Sequence, residues 1–78
     1  MHARDMVEYL AKSLVDKPDE VSVKQVDGEK SIILELRVAP DDMGKVIGRQ
    51  GRIARAIRTI TKAAAVRDGK VINVEIVE

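Results

Sequence analysis

The chain is 78 residues long, with 14 Lys or Arg, 13 Asp or Glu and a net charge of +1. This length allows one domain, residues 1–78, and the absence of Cys excludes disulfide bonds and thiolate metal sites. No apolar run reaches the length of a signal peptide or a membrane span, so we expect a protein of the cytoplasm.

The first predicted element is an amphipathic helix over residues 3–15. Its apolar positions recur at spacings of three and four, and charged residues occupy its other face. Pro18 bars the continuation of this helix. Tyr9 is the only aromatic residue of the chain, and we expect it to pack or to line a subunit contact.

A β-hairpin is predicted next. β-Branched residues indicate a strand at 21–26, and alternation of apolar and polar residues indicates a return strand at 31–38. The dipeptide Asp27-Gly28 predicts a two-residue turn between them. Ile33 breaks the alternation of the return strand, which indicates an apolar patch on its open face.

Two helices are predicted after the hairpin. The segment Pro40-Asp41-Asp42 indicates a helix start, because proline fixes φ and the acids complement the positive end of the helix dipole. This helix must be short, since Gly48 follows within about two turns. Gly51 begins a longer helix that is expected to end near Ala65.

A turn at Asp68-Gly69 and an alternating strand at 71–77 complete the predicted order, αββααβ. The hairpin is antiparallel, and the two helices between the second and third strands form a crossover long enough for parallel pairing. We therefore predict an α+β fold in which a three-stranded mixed sheet has its helices on one face.

Positive charge is concentrated in one stretch of the chain. From Gly44 to Arg67 there are seven Lys or Arg and no acid, a local charge of +7, whereas the rest of the chain sums to −6. Such a field attracts polyanions more strongly than the net charge of the whole chain suggests. The basic residues are Lys45, Arg49, Arg52, Arg55, Arg58, Lys62 and Arg67.

The longer of these two helices is predicted to have an apolar face and a basic face. At about 100° per residue, one cluster within roughly 60° is expected to pack on the sheet. It consists of Ile53, Ile57, Ile60 and Ala64. The opposite, solvent-facing side is expected to carry Arg52, Arg55, Arg58 and Lys62.

The four residues Gly48-Arg49-Gln50-Gly51, here called the glycine turn, join the two helices. Free N–H groups and the positive dipole at the start of the second helix favour an anion there. Arg49 carries a forked donor for phosphate oxygens, and Gln50 can donate or accept hydrogen bonds. Paired glycines between helices are also compatible with a plain tight turn, but the flanking apolar residues and positive charge favour binding.

These residues resemble a known family. Val46-Ile47-Gly48-Arg49-Gln50-Gly51-Arg52-Ile53, followed by Ile57, looks like the VIGxxGxxIxxI signature of the KH domain. The order αββααβ resembles the type II, prokaryotic arrangement, and the resemblance covers the whole chain. Residues 31–65 are similar in detail to the small stand-alone bacterial KH proteins of the KhpA family.

The resemblance implies binding of single-stranded RNA, because KH domains hold about four nucleotides and clamp the RNA backbone with this turn. Since Tyr9 is the only aromatic residue and lies in the wrong segment to stack on bases, bases would rest on aliphatic side chains, with weak affinity and loose sequence preference. The implied RNA-binding residues are Lys45, Ile47, Gly48, Arg49, Gln50, Gly51, Arg52 and Arg55. Lys45 and Arg52 are equally compatible with a solvated surface, and Arg58 and Lys62 are assigned to long-range steering or to a plain solvated face.

The resemblance also implies partners and a role. Proteins of this type self-associate and pair with a larger RNA-binding protein of the KhpB type, which predicts a homodimer or such a heterodimer. The expected role is a post-transcriptional regulator or RNA chaperone; the alternative is an assembly module whose RNA contact is secondary. Single-stranded DNA stays open as a ligand, because nothing in the sequence identifies a contact to a 2′-hydroxyl.

An enzyme is not expected. The sole histidine is His2, there is no Cys, and no Ser is followed by a plausible base. The glycine turn lacks the GK[ST] ending of a nucleoside-triphosphate loop. Asp41 and Asp42 are adjacent and are better explained by the helix dipole than by catalysis. We predict no cofactor and no metal.

Overall fold

The computed structural model describes residues 2–65 and 69–77. Three helices and three strands follow in the predicted order: α1 (Ala3–Leu14), β1 (Ser22–Asp27), β2 (Ser31–Arg37), α2 (Met43–Ile47), α3 (Arg52–Ala65) and β3 (Val71–Val77). Arg67 of the basic stretch and Asp68 of the predicted turn lie outside the described residues. No helix in the described ranges combines the length and apolar composition needed to cross a bilayer.

The three strands form one mixed sheet in the order β1-β2-β3. β1 pairs with β2 antiparallel, with Val23 opposite Leu36, and β3 pairs with β2 parallel, with Val74 opposite Leu34. This arrangement confirms the predicted α+β fold, because the two helices of the crossover allow β3 to return in the direction of β2.

The core lies between one face of this sheet and the helices. Alternate residues of β2 supply its centre, and Leu34 and Leu36 are fully buried. Val7 of α1 and Ile57 of α3 cover them from the helical side. Burial with a period of two shows that only one face of the sheet is covered, as predicted.

The opposite face of the sheet carries an apolar row, as Ile33 indicated. Ile33 is half-buried and pairs with Val26 of β1. Val71 of β3, which pairs with Ser31, is 59% exposed on the same face. Val26, Ile33 and Val71 are here called the open-face patch.

The first turn of the hairpin differs from the prediction. Asp27 belongs to β1 and pairs with Ile32, and the Gly28 N–H donates to Ser31 O at 2.7 Å. The chain therefore reverses at residues 29–30, two positions later than Asp27-Gly28. Pairing of Asp27 with Ile32 extends the ladder beyond the point at which the dipeptide signal placed the turn.

The face that α3 buries was predicted incorrectly in part. Ile57 is buried as expected, but Ile60 is 46% exposed and Ala64 is exposed. Ala54 and Thr61 are buried instead, which rotates the buried face by about 60°. These residues are small, so α3 can lie close to its neighbours. In the VIGxxGxxIxxI signature, counted from Val46, the first isoleucine after the glycines falls at residue 54, one position after Ile53. The burial of Ala54 agrees with that position.

The hydroxyl of Thr61 does not oppose this burial. It donates to the carbonyl oxygen of Ile57 at 2.6 Å, one turn earlier in α3. A buried hydroxyl that finds such a partner avoids most of the free-energy cost of leaving water. A polar residue at position 61 thus takes a core position that hydrophobic periodicity assigned to Ile60 and Ala64.

Asp42 has a larger structural role than complementing a helix dipole. Its side chain is buried, with 1% of the residue exposed, and it accepts hydrogen bonds from the N–H groups of Asp16 at 3.3 Å and Lys17 at 3.0 Å. The Lys45 ammonium lies 3.5 Å away. Burial alone would raise the pKa of Asp42, but these hydrogen bonds and the ammonium hold that pKa below its ordinary value.

This carboxylate connects the segment after α1 to the beginning of α2. Since Asp42 immediately precedes α2, its hydrogen bonds to Asp16 and Lys17 set where that helix starts relative to α1. The neighbouring Asp41 is exposed and forms only an outer ion pair with Lys17 at 3.5 Å. The two adjacent acids therefore have different functions in the fold.

We expect Asp42→Asn to lower the melting temperature at neutral pH more than the matched Asp41→Asn, because only Asp42 is buried and accepts two backbone hydrogen bonds. Since the folded-state pKa of Asp42 is depressed, its stabilisation is present above the unfolded pKa of about 4 and is lost as pH falls through the lower folded pKa. Thermal melts between pH 7 and 2 measure this. A difference between wild type and Asp42→Asn that grows on acidification would contradict the assignment.

Candidate nucleic-acid interface

The glycine turn reverses the chain through backbone conformations that glycine favours. Gly48 has φ 75° and ψ 174°, Gln50 has φ 58° and ψ 25°, and Gly51 has φ 73°. The Gly48 N–H donates to Gly44 O at 2.8 Å and closes α2, and the Gly51 N–H donates to Gly48 O at 3.2 Å. α3 therefore starts directly at the turn, with its positive dipole end beside it.

Gly48 is required for steric reasons. A Cβ atom at this position would lie 2.6 Å from Cγ1 of Ile53, which is far inside van der Waals contact. Its φ and ψ together lie in a region that is essentially restricted to glycine. The glycine turn thus packs directly on the first turn of α3 through Gly48 and Ile53.

Gly51 is different, because the space beside it is open. A Cβ atom there would meet no heavy atom within 4 Å, so only its positive φ favours glycine. A Cβ atom at Gly44, one helical turn before Gly48, would likewise meet no heavy atom within 4 Å. Gly44 was not among the predicted binding residues, although its position inside a short helix, where glycine is unfavourable, was a signal in the sequence.

The side chains at the tip of the glycine turn reach solvent. Arg49 and Gln50 are exposed, and Ile47 is 36% exposed just before the turn. Arg52 is also exposed, and its guanidinium lies 3.4 Å from the amide oxygen of Gln50. The structure therefore brings four of the predicted RNA-binding side chains together around the turn.

Arg55 continues this positive surface along α3. Its side chain is exposed one turn after Arg52, and that of Lys62 is exposed further along the helix. Within residues 2–65 and 69–77, no basic side chain of α3 forms an ion pair with a carboxylate. The helix presents charges that are not neutralised by this part of the chain.

Lys45 does not share this environment. Its ammonium pairs with Asp16 and with Asp42, the residue that precedes α2. The hydrogen bond to Asp16 is the main reason why the pKa of Lys45 is raised above its ordinary value. Of the predicted RNA-binding residues, Lys45 is therefore the one whose charge is already compensated within the fold.

Arg58 takes a position that the sequence did not predict. Its Nε donates to the carbonyl oxygen of Val74 in β3 at 3.2 Å, so its guanidinium lies against the sheet instead of extending freely into solvent. This position follows from the rotation of α3, which places residue 58 next to the buried face.

Comparison with known proteins identifies relatives over nearly the whole chain. The family model of the KhpA/KhpB KH domain matches residues 4–76. The protein named RNA-binding protein KhpA from Clostridium perfringens is 64% identical over 74 residues, which cover 95% of this chain and 99% of that protein. The protein of the same name from Clostridium acetobutylicum is 66% identical, over 95% of this chain and 99% of that protein. The one from Aquifex aeolicus is 53% identical, over 96% of this chain and 95% of that protein. These names agree with the prediction that the chain is not an enzyme.

Solved structures confirm the fold. The chain resembles part of Era in its complex with MgGDPNP and nucleotides 1506–1542 of 16S ribosomal RNA, with a TM-score of 0.64 and 19% identity. The match covers 95% of this chain and 28% of the Era chain. A second Era structure, from Aquifex aeolicus and bound to GDP and AlF4−, has the same TM-score and identity, with 29% of its chain covered. At this identity the likeness concerns the fold alone.

The two glycines of the turn should differ in how far they tolerate alanine. We expect Gly48→Ala to lower the free energy of unfolding by about 3 kcal/mol, because strained backbone and the contact with Ile53 add together. Gly51→Ala should lower it by only about 1 kcal/mol, since only the positive φ is unfavourable. Urea unfolding measures both values. Equal losses for the two variants would show that the Gly48–Ile53 contact is not a constraint.

Proposed function

The chain belongs to the KhpA/KhpB KH-domain family, and from this we propose that it binds single-stranded RNA by clamping the RNA backbone with the glycine turn. The observation that carries the proposal is the open space beside Gly51 at the positive end of α3. A phosphate can approach the first N–H groups of α3 there, because no heavy atom beyond the two neighbouring residues lies within 4 Å of the position of a Cβ atom at Gly51.

Uncompensated charge supports the same proposal. Arg49, Arg52 and Arg55 surround or follow the turn, and no ion pair within the described residues neutralises them. Arginine binds phosphate oxygens through its planar fork of donors. Lys45 has its carboxylate partners already, so we assign it a structural role first and a phosphate contact only as a weaker contribution.

Recognition of bases must depend on aliphatic contact and hydrogen bonds. Ile47 is the exposed apolar residue nearest the glycine turn, and Tyr9 lies on α1. Without an aromatic platform, we expect one copy to bind weakly and with a broad sequence preference. Such binding suits a cytoplasmic RNA chaperone or post-transcriptional regulator that acts on many transcripts.

The clamp is tested by the double variant Arg49→Asp, Gln50→Asp. We expect it to abolish binding to a single-stranded RNA hexamer, because it removes one cation and places two carboxylates where phosphates would lie. The fold should persist, since both side chains are exposed and aspartate tolerates the left-handed conformation of residue 50. Fluorescence anisotropy gives the affinity, and circular dichroism with a thermal melt gives the stability.

The matched control for this variant is Gln25→Glu, Lys30→Glu on the first hairpin. It changes the net charge by the same three units at exposed positions. The hairpin lies at the end of the sheet where α3 finishes, away from the glycine turn. If the control lost affinity as severely as the double variant, or if the double variant kept it, the clamp would be refuted.

Salt dependence provides an independent measurement. If two or three phosphates are contacted, the logarithm of the affinity should fall with the logarithm of the salt concentration at a slope of roughly −1.4 to −2. A slope near zero would exclude the proposed phosphate contacts. Repeating the titration with DNA of the same sequence determines whether the 2′-hydroxyl contributes.

A second function, assembly, is favoured by an apolar stripe on α3. Ala56, Ile60 and Ala63 recur at spacings of four and three, and all three are exposed. Such a stripe is typical of a helix that packs against another helix, and its alanines permit close approach. We propose that two copies associate through this stripe, which would present two clamps to one RNA and raise its avidity. The larger KhpB-type partner inferred from the family could occupy the same stripe.

Sedimentation velocity at micromolar concentration tests this association. We expect the wild type to sediment as a dimer and Ile60→Glu as a monomer, because a buried unpaired carboxylate destabilises an interface. Val71→Glu is the matched control, since Val71 is also an exposed apolar residue but belongs to the open-face patch. A monomeric wild type, or dissociation by Val71→Glu alone, would contradict the assignment to α3.

A further inference from the structure

We propose that Arg58 recognises one base of the bound RNA at the free edge of β3 and selects cytosine or guanine over uracil and adenine. The proposal rests on the RNA-binding function proposed above. It assigns Arg58 a role in specificity at one nucleotide position, whereas the sequence indicated long-range steering or a plain solvated face.

The backbone geometry of β3 shows that Arg58 lies at a sheet edge. β3 has a strand neighbour on one side only, because the sheet order is β1-β2-β3. The Val71 N–H donates to Lys30 O, so Val71 points its backbone groups toward β2. Backbone groups alternate in direction along a strand. Val74, three residues later, therefore directs its carbonyl toward the free edge.

Arg58 is held at this edge by a single backbone hydrogen bond. Its Nε donates to Val74 O at 3.2 Å, and its side chain remains exposed. The four N–H groups on the two terminal nitrogens have no partner within residues 2–65 and 69–77. The bond to Val74 orients the plane of the guanidinium and leaves its terminal donors available to a ligand.

The position of Arg58 relative to the glycine turn suits a base of the clamped strand. Arg52, Arg55 and Arg58 are spaced by three residues, so each successive side chain is displaced by about 60° around α3. The row therefore winds from the glycine turn toward β3. Arg58 lies about 10 Å along the helix axis from Gly51, which is within the length of the four nucleotides that such a domain holds.

The chemistry of the guanidinium determines which bases fit. Its two terminal nitrogens donate in parallel and pair best with two adjacent acceptors. Cytosine offers N3 beside O2, and guanine offers O6 beside N7. The cytosine pair lies on the Watson–Crick edge and the guanine pair on the Hoogsteen edge. Uracil and adenine have no such pair of adjacent acceptors, because N3–H separates the two oxygens of uracil and the N6 amino group separates N1 from N7 of adenine. In an unstacked single strand these edges are accessible.

Arg4, at the other edge of the sheet, shows what a purely structural arginine at a sheet edge looks like. Arg4 Nε donates to Val23 O of β1 at 2.9 Å, and its guanidinium also pairs with Asp5 at 3.1 Å and Glu8 at 2.8 Å. Arg4 thus covers an edge and is neutralised by carboxylates, as an edge-protecting residue should be. Arg58 covers the opposite edge without a carboxylate partner in the described ranges, which leaves its charge and donors for RNA.

Binding of the hexamers rC6 and rU6 to the full chain tests the proposal, because cytosine and uracil have the same size and differ in their acceptors. We expect the wild type to bind rC6 about tenfold more tightly than rU6. Arg58→Lys should reduce this ratio to about one while changing rU6 affinity less than about twofold, since lysine keeps the charge and loses the fork. Arg58→Met should also remove the preference.

Two control variants separate this role from steering and from edge protection. Arg55→Met removes a cation one turn away, and it should weaken both hexamers equally and preserve their ratio. Arg4→Met removes the bond to the other edge, and it should change the melting temperature without changing either affinity.

Each alternative result identifies what fails. Equal weakening of both hexamers by Arg58→Met, with a salt slope smaller by about 0.7, would make Arg58 a phosphate contact and overturn base recognition. If Arg58→Met left both affinities unchanged, Arg58 would be an edge-protecting residue, and base recognition would again be overturned. Equal wild-type affinities for rC6 and rU6 would overturn this inference alone, whereas failure to bind either RNA would overturn the proposed function as well.

Discussion

The contact between Gly48 and Ile53 is the constraint on which the candidate interface depends. A Cβ atom at Gly48 would lie 2.6 Å from the Ile53 side chain, so only glycine allows the end of α2 to pack directly on the start of α3. This packing determines where the chain reverses and leaves the backbone of Gly51 open on the outside. The two glycines therefore have separate roles, since Gly48 fits the turn to the fold and Gly51 leaves it accessible.

Electrostatics divides the basic stretch in the same way. Asp42 lies at the start of α2, accepts two backbone hydrogen bonds and, together with Asp16, compensates the charge of Lys45. Beyond the glycine turn, the described arginines have no carboxylate partner, so the field that attracts a polyanion originates from α3. The described cations of this stretch thus form a structural part and a part that is free to bind, and their ion pairs distinguish the two.

The orientation of α3 follows from small side chains. Burial of Ala54 and Thr61 turns the helix about 60° from the orientation that its isoleucines suggested. This rotation exposes Ile60 on a stripe that a second helix can cover, and it brings Arg58 to the free edge of β3. A change in how one helix packs therefore places both the proposed association surface and the proposed base contact.

Local pattern by itself determined the order of helices and strands, the mixed sheet and the glycine turn, because periodicity, glycine and charge act over a few residues. Tertiary structure decided the rest. Whether Lys45 was free depended on Asp16, distant in sequence, and whether Ile60 was buried depended on the sizes of Ala54 and Thr61. Hydrophobicity alone favours the larger side chain in the core, whereas close packing selects the residue that fits.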